Sequence, residues 1–302
     1  MFLLATEANA AAQRPLTFQH VRELASYLDD VKIADPVVFD HVAIYPVIVS
    51  SPLLLRGRWL TLDAALSSGA LTITVRPART KPVLWIENSS LDERLFLMKD
   101  EMIRWGIQNR TVRCDTVLAP GERIELNVLC RQLPSSASGK QLSASSSQPL
   151  NERLEQKLRN IILPRIPSGT TGFIFVCDGQ PSAADFFGSE DLALKLLPKL
   201  LESYAMDRVH VPYAVDDPDR ARNGREAIEF FKRICGARSV AVSTPGFGVG
   251  LQTHEGGLLG GGVVLGGLVV HCAVRAVELG TPYRRPQPSI LWPRSEMYPP
   301  RQ

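Results

Sequence analysis

The chain has 302 residues, 45% hydrophobic and 22% charged, with a formal charge of +3. That length buries a substantial core, in one large domain or two smaller ones, and the composition argues against disordered and fibrous classes. A charge so small, with arginines scattered rather than striped, argues against a nucleic-acid partner.

In chain order, residues 1–36 read as a flexible lead followed by a helix. The apolar start lacks a basic region and is interrupted by Glu7, so it makes a poor signal peptide. Val21, Leu24, Ala25 and Leu28 recur at helical spacing from Thr17 onward, and Asp29, Asp30 and Pro36 end the pattern. The region 37–133 is β-rich. Runs at 37–39, 42–49, 71–75, 83–87, 94–98, 110–118 and 124–130 carry branched and aromatic residues between turn-forming breaks. Trp59 to Leu66 predicts a short strand entering a helical turn or two, closed by Gly69. Strands this closely spaced predict a sandwich or a bent antiparallel sheet.

Residues 134–149 form a serine-rich linker or loop with little to bury. The region 150–280 alternates differently and predicts a mixed α/β half. Helical spacing covers 150–162, and a buried strand is expected at 172–177. Leu192, Leu196, Leu200 and Tyr204 mark the strongest helix, which Pro198 should bend or split. Another amphipathic helix covers 222–234, and three strands, at 239–243, 248–254 and 263–274, close the region. The apolar stretch 258–277 is interrupted by five glycines, His271 and Arg275, so no membrane span is expected. A proline-rich tail, 281–302, ends the chain. The fold class is α+β, with a β-rich N-terminal half packed against a mixed α/β C-terminal half.

Cys114, Cys130, Cys177, Cys235 and Cys272 are odd in number, far apart and without a C-x-x-C pair. They point away from a disulfide scaffold or zinc cluster and toward reduced thiols in a cytoplasmic compartment. No phosphate loop, G-x-S-x-G or H-E-x-x-H motif occurs, so a metal site or catalytic triad could arise only by long-range assembly, no metal site is assigned and the cofactor is left open. The glycines at 246–250 lie between strands and read as backbone shaping.

The stretch 98–110 reads as a polar connection between strands. Asp100 and Glu101 are candidates for general base, metal ligand or binder of a ligand hydroxyl, or else a solvated loop pair. Gln108, Asn109 and Arg110 offer amides and a guanidinium for an anionic ligand, or else turn chemistry. His271, alone in an apolar run, is either catalytic or a satisfied core histidine. Glu87 and Asn88, at a strand end, either face the same cleft or form a hairpin turn. Asp178-Gly179 and Asp185 follow a strand, where α/β proteins often place ligands.

These stretches together resemble the ARG and rhodanese-phosphatase-superfamily-associated protein domain family. The resemblance rests on Leu95-Phe96-Leu97, Asp100-Glu101 and Gln108-Asn109-Arg110. It extends to Tyr45-Pro46, Leu118-Ala119-Pro120-Gly121, Asp185-Phe186-Phe187, Tyr204-Ala205, Gly248-Val249-Gly250 and Val270-His271, over roughly residues 37–275. It implies a role near NAD and ADP-ribose metabolism, alongside ADP-ribosylglycohydrolase-type partners. Ile107 stands where the family pattern has a lysine, and Arg131-Gln132-Leu133 replaces an acid followed by an Arg-Trp pair. Ile107 removes a cation that would have neutralised a phosphate.

Two functions follow as expectations. One is an enzyme or ligand-binding protein acting on a nucleotide- or sugar-derived small molecule. Asp100, Glu101 or His271 would then be catalytic, with Glu87, Asn88, Gln108, Asn109 and Arg110 binding in a cleft between the halves. The reaction expected by resemblance is hydrolysis or transfer of ADP-ribose-like substrates. The other is a non-catalytic protein-interaction module that keeps the family fold. Neither nucleic acid nor membrane is an expected partner, and oligomeric state is left open.

Overall fold

The computed structural model describes residues 19–39, 42–49, 55–76, 83–105, 108–126, 128–132, 156, 158–206 and 224–277. Helix α1 (Gln19–Asp29) leads into β1 (Val31–Ile33), β2 (Val37–Phe39) and β3 (Val42–Val49). Seven of the eight β3 residues are buried, as expected of a central strand covered on both faces.

A β-rich unit follows: β4 (Trp59–Thr61), α2 (Leu62–Ser68), β5 (Leu71–Arg76), β6 (Val83–Asn88), β7 (Arg94–Leu97), β8 (Met102–Trp105), β9 (Gln108–Val112), β10 (Thr116–Leu118), β11 (Arg123–Glu125) and β12 (Val128–Gln132). The strands form three small sheets, ordered β10-β7-β4, β11-β6-β5 and β12-β9-β8. Only the β4–β7 pair among them is parallel. The Thr61 hydroxyl accepts from Ala64 N–H to start α2, and Gly69 ends it at φ 72°, where a Cβ would be strained. The unit has its own core, including Leu62, Ala65, Leu84, Ile86, Leu95, Leu97 and Ile103.

The second half begins with a π turn (Leu158–Ile162) and a 3-10 turn (Leu163–Arg165), so the described part of the predicted 150–162 helix is distorted. Then come β13 (Thr170–Cys177), β14 (Gln180–Phe187), α3 (Glu190–Met206), α4 (Arg225–Gly236), β15 (Ser239–Val242), β16 (Val249–Glu255), β17 (Leu258–Leu265) and β18 (Leu268–Ala276). Asp178 and Gly179, both at positive φ, make the two-residue turn between β13 and β14. They are therefore hairpin chemistry.

A nine-stranded, wholly antiparallel sheet joins the two halves of the chain. Its order is β1-β3-β13-β14-β18-β17-β16-β15, with β2 also paired to β3. The β-rich unit is thus inserted between β3 and β13, and the sheet draws strands from both sides of the serine-rich stretch. One sheet face packs on α3 and on Trp59, Phe96 and Val117 of the inserted unit. The other packs on α1 and α4 through Leu24, Tyr27, Phe230 and Ile234. Each large apolar side chain buried in these layers contributes about 1.5–3 kcal/mol before conformational entropy is counted.

Three local expectations change. The polar stretch 98–110 is not an open connection, because β8 and β9 pair across it as a hairpin. The closing run contains four strands, since Gly266 and Gly267 turn the chain between β17 and β18. Helix α3 runs unbroken through Pro198. Its start is set by the Ser189 hydroxyl accepting from Leu192 N–H, followed by Glu190 and Asp191 in the first turn.

Candidate functional site

Two clusters of charge tie the inserted unit to the rest of the molecule, one to the sheet and one to α3. The first centres on His271, in the middle of β18. Its Nδ1 lies 2.6 Å from Asp115 Oδ2, and its Nε2 lies 3.1 Å from Asp185 Oδ1. Asp115 belongs to the β9–β10 connection of the inserted unit. Asp185 sits on β14 opposite Ala273, two residues along from His271, so both side chains share the α3 face of the sheet. All three side chains are at most 3% exposed. Asp115 Oδ1 accepts from Lys99 N–H at 2.7 Å, and Asp185 Oδ2 accepts from the Tyr204 hydroxyl at 2.6 Å. Phe187 stacks on the imidazole at 4.6 Å, and Phe96 meets it edge-on at 5.5 Å.

Two carboxylates facing the two ring nitrogens require both nitrogens to donate, so the ring is an imidazolium. Burial opposes that charge, but Asp115 and Asp185 outweigh burial and pull the pKa up to about 10. A histidine held in this way has no lone pair to accept a substrate proton at neutral pH. Beyond Tyr204 the chain of groups reaches the surface. Arg275 is exposed, with its guanidinium carbon 5.4 Å from the centroid of the Tyr204 ring. Burial works against the Arg275 charge, but Tyr204, Asp185 and Asp100 hold it above its ordinary value.

The second cluster centres on Lys199 of α3. Its ammonium pairs with Asp63 Oδ2 at 2.8 Å and with Glu101 Oε1. Glu101 Oε2 also accepts from Met98 N–H at 2.8 Å. Burial pushes the Glu101 carboxyl up, while on Lys199 Glu101 and Asp63 overcome burial and keep the ammonium charged. The two tendencies oppose each other. With two carboxylates on one ammonium and a backbone donor on Glu101, the ionised pair is the state consistent with the geometry.

The expected site residues are accordingly dispersed. Glu101 and His271 belong to different clusters, each already paired. Asp100 occupies the β7–β8 turn at φ 70°. Asn88 is fully buried and donates to the carbonyls of Glu93, Ala119 and Leu118 at 2.8, 3.1 and 3.4 Å, while accepting from Ser90 N–H. Glu87 alternates to the other side of β6, opposite Arg123. Arg110 is 2% exposed and engaged within the interior. Gln108 and Asn109 lie on β9, and their side chains are outside the described residues. Sequence reading passed over Asp63, Asp115, Lys199 and Arg275. The signal for Lys199 was a lone charge inside the apolar run Leu196-Leu197-Pro198-Lys199-Leu200-Leu201, as it was for Asp185 and His271.

Among the described residues, no group of three or more His, Cys, Asp or Glu side chains could hold a metal ion, and no helix is long and apolar enough to cross a membrane. A shallow groove of about 300 Å³ runs beside α4 between Pro181, Arg225, Glu226, Glu229, Phe230 and Arg233. It lies on the sheet face opposite His271 and mixes two carboxylates with two guanidinium groups.

The molecule is therefore an antiparallel α+β protein: a large sheet layered with helices, carrying an inserted β unit pinned to it by paired charges. The chain belongs to the ARG and Rhodanese-Phosphatase-superfamily-associated Protein domain family, whose model matches residues 30–132 and 134–275. None of the curated proteins compared with it matches.

Proposed function

We propose that the protein binds a polar, anionic small molecule of the nucleotide- or sugar-derived class. Binding falls at the seam where the His271 cluster surfaces, and Asp100, Glu101 and His271 are not used as catalytic groups. The observation that supports this reading is Arg275. Arg275 is an exposed residue whose guanidinium is partly covered, lies over the Tyr204 ring and is accompanied by Asp100. Guanidinium suits phosphate and carboxylate groups, and Asp100 offers an acceptor for ligand hydroxyls. Turnover through Glu101 or His271 would first require breaking a buried pair, which costs about 3–5 kcal/mol. Family membership keeps ADP-ribose and NAD first among compounds to try.

Thermal-shift titration with ADP-ribose, NAD and inorganic phosphate tests the proposal. Arg275→Ala should abolish the shift given by any of these compounds. An equal shift in Arg275→Ala, or no shift with any of these compounds, refutes it. Loss of intact ligand during incubation would refute the non-catalytic part.

A second reading, a protein-interaction module, is favoured by a separate observation. Val240, Phe247 and Leu259 are large exposed apolar residues on or beside β15–β17, and Val240 and Leu259 share one sheet face by register. Sedimentation would then show concentration-dependent self-association that Val240→Ser weakens.

A further inference from the structure

We infer that Asp115, His271 and Asp185 form a proton-controlled latch between the inserted β unit and the large sheet. While His271 carries both ring protons it ties the two together. Loss of one proton releases Asp115, along with the β15–β16 loop that rests on it. The inference is independent of the ligand reading above.

Asp115 is a node with three attachments. Its Oδ2 meets His271 of the sheet at 2.6 Å, and its Oδ1 takes the Lys99 N–H of the β7–β8 turn at 2.7 Å. Its backbone carbonyl takes the Thr244 hydroxyl of the β15–β16 loop at 3.0 Å. That loop is fastened again one strand further on, where Phe247 N–H donates to the Val117 carbonyl at 2.7 Å. Gly246 permits the approach, since a Cβ there would sit 2.2 Å from the Val117 oxygen.

Removing either ring proton leaves a nitrogen lone pair pointing at a carboxylate, with two buried carboxylates and only the Arg275 guanidinium, beyond Tyr204, to offset them. One carboxylate has to move toward water. Asp185 is anchored on β14 between β13 and β18 and also holds Tyr204. Asp115 lies in a strand connection at the seam, so it is the group that leaves.

The other titratable and charged groups around the ring come from the sheet, from α3 and from the inserted unit. From the sheet, Asp185 faces the ring. Cys272 packs on the opposite face, with its thiol pushed up to about 12 by burial and by the two aspartates. From α3, Tyr204 is driven well above its ordinary value by burial and by Asp185, and from β18 Arg275 is raised by Tyr204 and Asp185. On the inserted unit the charged neighbours are Arg113 and Asp115, with Lys99 and Asp100 on the adjoining turn. The Cys114 thiol is pushed up by burial. His271 is the group of the cluster that bonds both aspartates, so its charge is the one on which the latch depends.

The sign follows from proton linkage. Histidine in an open, solvated seam titrates near 6.5, and in the closed latch near 10. Closure is therefore fully favoured below about pH 6.5. The opening constant rises about tenfold per pH unit from there to about pH 10, then levels off.

Amide hydrogen exchange on the full chain reads this directly. Lys99 and Phe247 report the latch, and Ile174, central in the sheet, reports global unfolding. After correction for intrinsic rates, Lys99 and Phe247 should lose protection about tenfold per pH unit between pH 7.5 and 9.5 while Ile174 keeps a higher protection throughout. His271→Gln should flatten that dependence. Protection that is pH-independent in the wild type, or that falls to the same level at all three amides, overturns the latch. If His271→Gln fails to fold, nitrogen-15 spectra of the wild-type imidazole decide the matter: two bonded ring protons at pH 7 support it, and one overturns it.

Discussion

Lys199→Met removes the single ammonium shared by Asp63 and Glu101 while keeping the helix-forming, unbranched side chain. The cost should fall on Glu101, because its side chain is 3% exposed whereas Asp63 is 44% exposed and is free to turn outward. At pH 7 the stranded carboxyl escapes by taking a proton. Doing so costs ~1.36 kcal/mol for each pH unit above its unfolded pKa of about 4.3, or about 3.5 kcal/mol in total. That value sits within the 3–5 kcal/mol range for breaking one side of a buried pair. The folded pKa of Glu101 in the variant is raised, so the penalty shrinks as pH falls toward the unfolded value. At pH 5 it should be about 1 kcal/mol. Urea unfolding followed by circular dichroism at both pH values measures the difference. Adding Glu101→Gln to Lys199→Met should restore at least half of the loss at pH 7 and remove its pH dependence. An equal loss at pH 5 and pH 7 would refute the argument, since it would mean that an uncompensated Glu101 is not the source of the cost.

Asn88→Ala removes the buried amide that binds three backbone carbonyls, and should lower stability by about 2–3 kcal/mol in the same assay. Gly246→Ala forces a Cβ against the Val117 carbonyl. It should speed exchange of the Phe247 amide at pH 7 while costing less than about 2 kcal/mol globally, because the strain is confined to one loop. The Arg275 and His271 variants described above complete the set.

Much of the architecture was legible in local pattern. Trp59 to Gly69 reads as strand, capped helix and left-handed stop because each step is set by neighbours a few residues away. The hairpin at 98–110 was not, because polarity marked a loop while pairing with β9 and β12 made it a strand. Likewise, 263–274 is apolar on both faces of the sheet, which hid the Gly266-Gly267 turn behind what looked like one interrupted strand. Pro198 was expected to bend or split its helix, and the helix is not split. Packing of Leu192, Leu196, Leu197, Leu200 and Leu201 on the sheet overrides the lost hydrogen bond. The charged clusters were visible only as fragments. His271 and Asp185 stood out as lone polar residues in apolar runs, but their partner Asp115 lies in an ordinary turn sequence. Nothing local ties it to a histidine 156 residues away.

The insertion of the β unit between β3 and β13 also sets an order of events during synthesis. Tyr45 of β3 pairs with Ile174 of β13, so the first central strand leaves the ribosome roughly 130 residues ahead of its partner, a wait of about 6–26 s at ordinary elongation rates. Throughout that interval β3 has β1 and β2 for one edge and lacks a partner for the other, while the inserted unit has its own strands and a separate core available to fold. Early folding of that unit shortens the effective loop that must close before β3 meets β13 and lowers its entropic cost. The unit thus acts as a folding spacer: it brings the ends of its own segment together and presents β3 to the strand that arrives last at its side.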